Sequence, residues 1–312
     1  MTRAIDVHHL GRDRVICAHE IDGLIVDPGP TTGLDALLAG LGDGEPRALL
    51  LTHIHLDHAG ASGSLVERFP GLTVYVHERG APHLVDPERL LRSARQLYGD
   101  EMERLWGEVR PVPEASVRAL SGGETIEGSI RVEYTPGHAS HHVSYLREAT
   151  GEAFVGDVAG VRIPPLDHVL PPTPPPDIDV EAWEGSLRVL EGWAPTALRL
   201  THFGRVDAVE AHLGRMRVEL AHQAELARAH GEDAFVAAVE AHVREAAGEE
   251  GIAERYLQAA PAGQLYLGLE RYWRKRAEGA GRAGARPDGE RVSAAGALAN
   301  EVEVSGAPAT RP

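Results

Sequence analysis

The feature that most narrows what this chain can fold into is a repeated one: short apolar runs that stop on glycine, proline, aspartate or histidine. VICA, DGLIVDPG, RALLLTH, LTVYVHE, IRVEYTPG, AFVGD and ALRLTHFG all take this form within the first 205 residues. Runs of this length, apolar throughout and bounded by turn formers, predict strands buried on both faces. Between them TGLDALLAGL, GASGSLVERF, DVEAWEGSLRVLEGW and residues 84–106 have spacing suited to helices. Strands alternating with helices make an α/β chain, in which helices cover the sheet faces. Ligand sites in such layered folds gather at strand ends. The polar residues that end these runs therefore mark where chemistry is expected.

One run end is far denser in such residues than the others. RALLL leads into THIHLDHAG, residues 52–60, with three histidines and an aspartate inside six positions. His53 and His55 are one residue apart at the end of a predicted strand, so extended geometry turns both rings the same way. Asp57 and His58 follow where the chain must turn. Neutral imidazole and carboxylate are ligands for a borderline ion such as zinc. Four of them so close together crowd a single tetrahedral ion and invite a shared, two-metal site. Further candidates stand at other run ends: His138 in TPGHASHH, Asp157 in FVGDVAG and His202 in LTHFG. A carboxylate such as Asp157 has two oxygens with separate lone pairs and can bridge two ions.

The chain holds 17 histidines, so a lone one says little. His8, His9, His19, His77, His83, His141, His168, His212, His222, His230 and His242 are read as surface or ordinary hydrogen-bonding residues. The 53–58 cluster differs, because packing four ionisable groups at a strand end is costly unless a cation unites them.

THIHLDH, then TPGHASHH, FVGDVAG and LTHFG in that order, resemble the metallo-β-lactamase superfamily over about residues 15–205. The resemblance implies a four-layer αβ/βα sandwich with metals at one edge, between two sheets. By motif position His53, His55 and His138 would hold a first metal. Asp57, His58 and His202 would hold a second, with Asp157 bridging. Asp57 is also assigned a part as proton carrier. Asp27, in LIVDPG, matches a position that supports the site from behind, and His142 matches a recurrent histidine with a structural hydrogen-bonding role. Two zinc ions per chain are expected, with iron or manganese as the other candidates.

A dimetal-activated hydroxide attacking an ester-type bond (thioester, lactone or carboxylic ester) is the chemistry such a site implies. No serine or cysteine nucleophile is needed, and the one cysteine, Cys17, lies in an apolar run, where a buried structural thiol is expected. The alternatives carried alongside are a mononuclear-iron persulfide dioxygenase on the same fold and a non-catalytic metal-binding scaffold. With 47 acidic against 31 basic residues the formal charge is −16, which argues against nucleic acid as a partner. No stretch has the length of a membrane span, and MTRAIDVHHLGRDR lacks the apolar core of an export signal. The expected setting is cytoplasmic, with a small-molecule ester-type substrate.

Three domains are expected: a catalytic domain over 1–205, a helical extension over 206–276 and a disordered tail over 277–312. Val206, Val209, Leu213, Met216 and Leu220 form one helical stripe; Phe235, Val239 and Val243 suggest a second, and Leu265, Leu269 and Trp273 a third. These helices are candidates for capping the pocket, for pairing in a homodimer, or for both. PPLDHVLPPTPPP, residues 164–176, cannot be helix or central strand and is either a pocket wall or a surface connector. RYWRKR, residues 271–276, overlaps the helical region where glyoxalase II members carry basic glutathione contacts. It is read here as a solvated helix end.

Overall fold

Leu49, Leu50 and Leu51 point alternately into two different cores, and that alternation sets the architecture. The computed structural model describes residues 2–284, with backbone alone for 280–284. Leu49 and Leu51 join Leu37, Leu65, Val74 and Val76 on one side, while Leu50 joins Leu24, Val26, Tyr145 and Phe154 on the other. A strand with apolar residues at every position can fill both sides because its side chains alternate.

Two six-stranded sheets result. The first has β1 (Thr2–Asp6), β2 (Cys17–Ile21), β3 (Leu24–Val26), β4 (Ala48–Leu50), β5 (Thr73–His77) and β6 (Val117–Leu120) in that spatial order. The second runs β12 (Gly204–Val206), β11 (Ala197–Leu200), β10 (Glu152–Phe154), β9 (Val143–Arg147), β8 (Ile130–Tyr134) and β7 (Thr125–Ile126). β3 to β6 are parallel, and so are β10 and β11; the remaining neighbours are antiparallel. Each parallel step needs a crossover. The first sheet's are supplied by α1 (Leu34–Leu41), then α2 (Leu56–Ala59) and α3 (Ser62–Arg68), then α4 (Ala81–Val85), α5 (Glu88–Tyr98) and α6 (Met102–Trp106). α7 (Val180–Trp193) joins β10 to β11 and starts on Asp179, whose carboxylate accepts from the Ala182 amide at 2.9 Å.

The inner faces of the sheets meet in a core that includes Ile21, Leu50, Val132, Tyr145 and Phe154, making an αβ/βα sandwich. Across it the Tyr145 hydroxyl donates to the Leu51 carbonyl at 2.7 Å. At one edge Glu152 accepts from Thr2, Arg199 and Arg205, which ties β1 of one sheet to β10, β11 and β12 of the other.

The chain then builds α8 (Val209–Ala229), α9 (Glu232–Ala247), α10 (Glu250–Ala259) and α11 (Ala262–Gly284). Leu213, Met216, Leu220, Phe235, Val239, Val243, Leu265 and Leu269 are buried in one core with Ala153, Leu198 and Leu200 of the second sheet. The stripe read from Val206 begins as a helix only at Val209, because Val206 pairs with Leu198 in β12. Residues through Lys275 form one compact unit. The tail expected from 277 begins inside α11, which continues to Gly284; the rest of it, 285–312, lies outside the described residues. No helix among the described residues is long and apolar enough to cross a membrane.

Candidate metal centre

β3, β4, β10 and β11 are adjacent to loops that deliver the candidate ligands to one edge of the sandwich. Asp27 is the residue after β3, and His53 and His55 follow β4. The single turn of α2 carries Asp57 and His58, and Asp157 lies in a 3-10 turn, Gly156–Ala159, after β10. His138 comes from the β8–β9 loop and His202 follows β11. Gly156 must be glycine: its φ is +46°, and a Cβ there would stand 2.5 Å from Thr52 Oγ1 and 2.8 Å from His142 Nε2.

The donor atoms fall into two sets. His138 Nε2 lies 3.2 Å from His53 Nε2, 2.9 Å from His55 Nδ1 and 3.3 Å from Asp157 Oδ2. The other oxygen, Asp157 Oδ1, lies 3.2 Å from His58 Nε2 and 3.6 Å from His202 Nε2. Asp57 Oδ2 completes that second set, 3.3 Å from His202 Nε2 and 3.7 Å from His58 Nε2. Asp157 thus stands between the sets with one oxygen toward each. All seven residues predicted as ligands converge here, in the groups His53, His55, His138, Asp157 and Asp57, His58, His202.

Hydrogen bonds on the far side of the rings decide which nitrogens are free. His138 Nδ1 donates to the Pro172 carbonyl at 2.8 Å, His202 Nδ1 to the Val15 carbonyl at 2.6 Å, and His58 Nδ1 to Asp27 Oδ2 at 2.8 Å. With Nδ1 committed, each neutral ring turns a bare Nε2 lone pair to the centre. Asp27 has a φ of +49° and accepts from the Thr52 amide and hydroxyl and from the Thr201 hydroxyl as well. It meets His58 through Nδ1, on the side of the ring away from the converging atoms, and so acts from behind. His142 joins neither set; its Nδ1 meets Thr135 Oγ1 at 2.9 Å and its ring stacks on His53.

Three converging atoms, His58 Nε2, His202 Nε2 and Asp157 Oδ1, are buried without a hydrogen-bond partner. Lone pairs packed at about 3 Å repel unless something positive lies among them. The protonation equilibria point the same way. Burial lowers the His58 pKa, but Asp157, Asp57 and Asp27 outweigh it and hold the ring well above the usual range. His202 is raised too, with Asp157 and Asp57 overcoming its burial. His53 is pushed well below, by burial and then by His58, His55 and His138. Burial raises the Asp157 carboxyl, yet His58, His138 and His202 hold it well below the usual range. The centre draws positive charge, and its nitrogen and carboxylate donors fit divalent metal ions.

A family model described as the metallo-beta-lactamase superfamily matches residues 15–192, more than half of the chain. The chain belongs to the metallo-beta-lactamase superfamily. It is 31% identical over 176 residues to a metallo-beta-lactamase fold-containing protein of Sulfurisphaera tokodaii, covering 54% of this chain and 65% of that one. It is also 31% identical over 139 residues to a hydroxyacylglutathione hydrolase of Gloeothece citriformis, covering 43% of each. The matches therefore span less than two thirds of either relative. A metallo-beta-lactamase family protein from Thermus thermophilus superposes with a TM-score of 0.60 at 23% identity, covering 88% of this chain and 94% of that one.

Above the superfamily motifs opens a cleft of about 930 Å³, floored by His55, Asp57, Asp157 and His202. Tyr98 and Trp106 line one wall, Pro172 and Pro174 to Pro176 another, and Gln258, Gln264 and Arg271 a third. The proline-dense segment is a pocket wall, held by Gln223 Nε2 donating to the Pro171 carbonyl at 3.0 Å and to Thr173 Oγ1 at 2.8 Å. RYWRKR is more than a solvated helix end: Arg271 and Arg274 line the cleft, and Arg271 Nε donates to the Pro176 carbonyl at 3.1 Å. The sequence also passed over His141 and His9. His141 lines the cleft with its ring centroid 5.9 Å from that of His55, and His9 stacks on Trp106 at 5.4 Å. The spacing of His141, directly before His142, gave no sign that the two neighbours face different partners.

Proposed function

We propose that this chain is a metal-dependent hydrolase of ester-type bonds (thioesters, lactones or carboxylic esters) that works with two ions. One observation carries the reading: seven donors divide into two sets that share a single carboxylate, one oxygen of Asp157 to each. His53, His55 and His138 would hold one ion, Asp57, His58 and His202 the other, and Asp157 both. The chemistry such ions supply when bound is a lowered pKa for water and polarisation of a carbonyl oxygen.

The protein's own groups account for the rest. Pro172, Val15 and Asp27 fix the rings of His138, His202 and His58 through Nδ1, so no reorientation is needed when substrate arrives. Asp57 opens to the cleft, 19% exposed, while the histidines beside it are buried. Burial raises its carboxyl, but the neighbouring His58 and His202 rings pull it below the usual range, so it remains ionised and its oxygen outside the donor set can accept a proton. Arg79, Arg89, Arg271 and Arg274 line the cleft of a chain whose formal charge is −16. Besides the ligand aspartates the cleft holds Asp177 and Glu270 against these four arginines, a local positive excess that suits an acyl substrate with an anionic group. The relatives named hydroxyacylglutathione hydrolase support the thioester arm.

Metal analysis of purified protein, followed by a panel of thioester, lactone and phosphodiester substrates, tests the proposal. Two zinc per chain bound by these seven residues, and chelator-sensitive turnover of an ester-type member, are expected, with turnover abolished by His138→Ala. One iron per chain with oxygen uptake on a persulfide would replace it by a dioxygenase. Silence of the metal-replete protein across the panel would leave a metal-binding scaffold.

A further inference from the structure

A second group of metal-type donors lies among the C-terminal helices and is separate from the seven residues of the centre. Glu219 and His222 are three residues apart on α8, a Glu-x-x-His spacing that puts both on one helix face. His242 of α9 faces them, its Nε2 3.5 Å from Glu219 Oε2, while His222 Nδ1 is 3.9 Å from the same oxygen. His168 arrives from the proline-dense segment, its ring centroid 4.9 Å from that of His242. One donor atom from each of His168, Glu219 and His242 lies within 4.8 Å of the others.

Hydrogen bonding does not account for this arrangement. An imidazole bonded to a carboxylate approaches to about 2.7–3.0 Å, and neither histidine does so. Two donors each about 2.0 Å from a tetrahedral ion stand about 3.3 Å apart, which is close to the His242–Glu219 spacing. His168 Nε2 is buried and has no hydrogen-bond partner. Its place is fixed from outside the group, since the Tyr256 hydroxyl donates to the His168 carbonyl at 2.8 Å.

We propose that His168, Glu219 and His242 bind a further divalent ion of the zinc class, with the exposed His222, which lies outside this group but 3.9 Å from Glu219, turning in as fourth ligand. Three nitrogens and one oxygen make a closed set of the kind structural ions use. Such an ion clips the proline-dense segment to α8 and α9. The same segment carries Pro172, whose carbonyl orients His138, and Pro174 to Pro176 of the cleft wall. The clip would stiffen that wall without touching substrate. This inference goes beyond the hydrolase reading and does not rest on it.

The test counts zinc in the full chain after chelator stripping, dialysis against zinc and removal of free ion. His168→Ala/His242→Ala is expected to hold one zinc fewer per chain than the parent. A His53→Ala/His58→Ala/Asp157→Ala/His202→Ala chain, which removes donors from both sets of the centre, is expected to keep one zinc, to show the absorption of tetrahedral cobalt when cobalt replaces it, and to lose both when the first pair is added. If the paired variant does not fold, His242→Gln, at a half-exposed position, gives the same comparison of counts. Equal zinc in parent and variant overturns the site. Failure of the hydrolase reading would instead leave this difference of one intact and show only as absent turnover.

Discussion

At the residue scale, Asp27 shows how much of the centre is built by groups that never face an ion. One of its oxygens takes bonds from His58 Nδ1 and from the Thr52 and Thr201 hydroxyls, while the other takes the Thr52 amide. Replacing Asp27 with Asn removes the negative charge opposite His58 and puts a donor where only acceptors fit. The expected result is a roughly 10–100-fold loss of metal affinity with the fold retained. A competition titration against a chromophoric chelator measures it, and unchanged affinity would remove Asp27 from the design. Ligand removal should be harsher. His58→Ala leaves Asp57 and Asp157 facing each other with one histidine fewer between them, so one ion of the proposed pair should be lost from the metal count. The motif at 53–58 was legible because its residue types have few other reasons to crowd together. His141 was not legible, since a histidine at a cleft wall and one at the surface look alike in sequence.

At the element scale, the proline-dense segment and α11 act as one wall. Thr173 Oγ1 donates to the Leu265 carbonyl at 3.0 Å, and a methyl on Gly268 would fall on the Thr173 carbonyl oxygen and within 2.8 Å of the Pro174 carbonyl carbon. Gly268→Ala must therefore push α11 and the segment apart. A cost of about 1–3 kcal/mol is expected from such overpacking, read as a lower denaturant midpoint. Because the Pro172 carbonyl orients His138, turnover should fall as well, although Gly268 touches no donor. Turnover at the parent level in the destabilised variant would show that the wall does not reach the centre. The elements themselves were unequally legible. β3, β4, β10 and β11 were legible as apolar runs, whereas β1 and β9 were not, because TRAID and VSYLR mix polar and apolar residues. Ser144 of β9 is buried all the same, with its hydroxyl bonded to that of Thr135 at 2.9 Å.

At the scale of the whole molecule, the sandwich buries histidines in neutral form away from the centre, and this sets its response to acid. Burial pushes His19 down to about 4, only partly countered by its bond to the Leu200 carbonyl, and His212 likewise to about 4 despite the Ala159 carbonyl. Both take protons near 6.5 once unfolded, so below that pH the unfolded chain binds more protons than the folded one. Stability is therefore full above about pH 6.5 and declines progressively toward pH 4, by on the order of 3 kcal/mol per histidine. Unfolding free energies at pH 7.5 and 5 measure the slope, and His212→Gln should flatten it. An equal slope in that variant would assign the acid sensitivity elsewhere. Chelation acts on the same scale: ions that bind only the folded chain stabilise it by about 2.7 kcal/mol at a hundredfold excess over Kd. Stripping them should lower the thermal midpoint, and re-addition of zinc should restore it.

The sequence alone determined the layered α/β class and the strand ends where the candidate donors gather, while their division into two sets was only what the family resemblance implied. It could do so because buried strands must be apolar throughout and because metal donors crowd together only around a cation. The tertiary structure decided what contacts between distant segments decide: that Asp157 turns one oxygen to each donor set, that Pro172 and Val15 fix the tautomers of His138 and His202, and that the proline segment walls the cleft. Each of these joins residues far apart in the chain through backbone carbonyls or packing. Every residue type carries the same carbonyl, and local spacing holds no record of which one a side chain will meet.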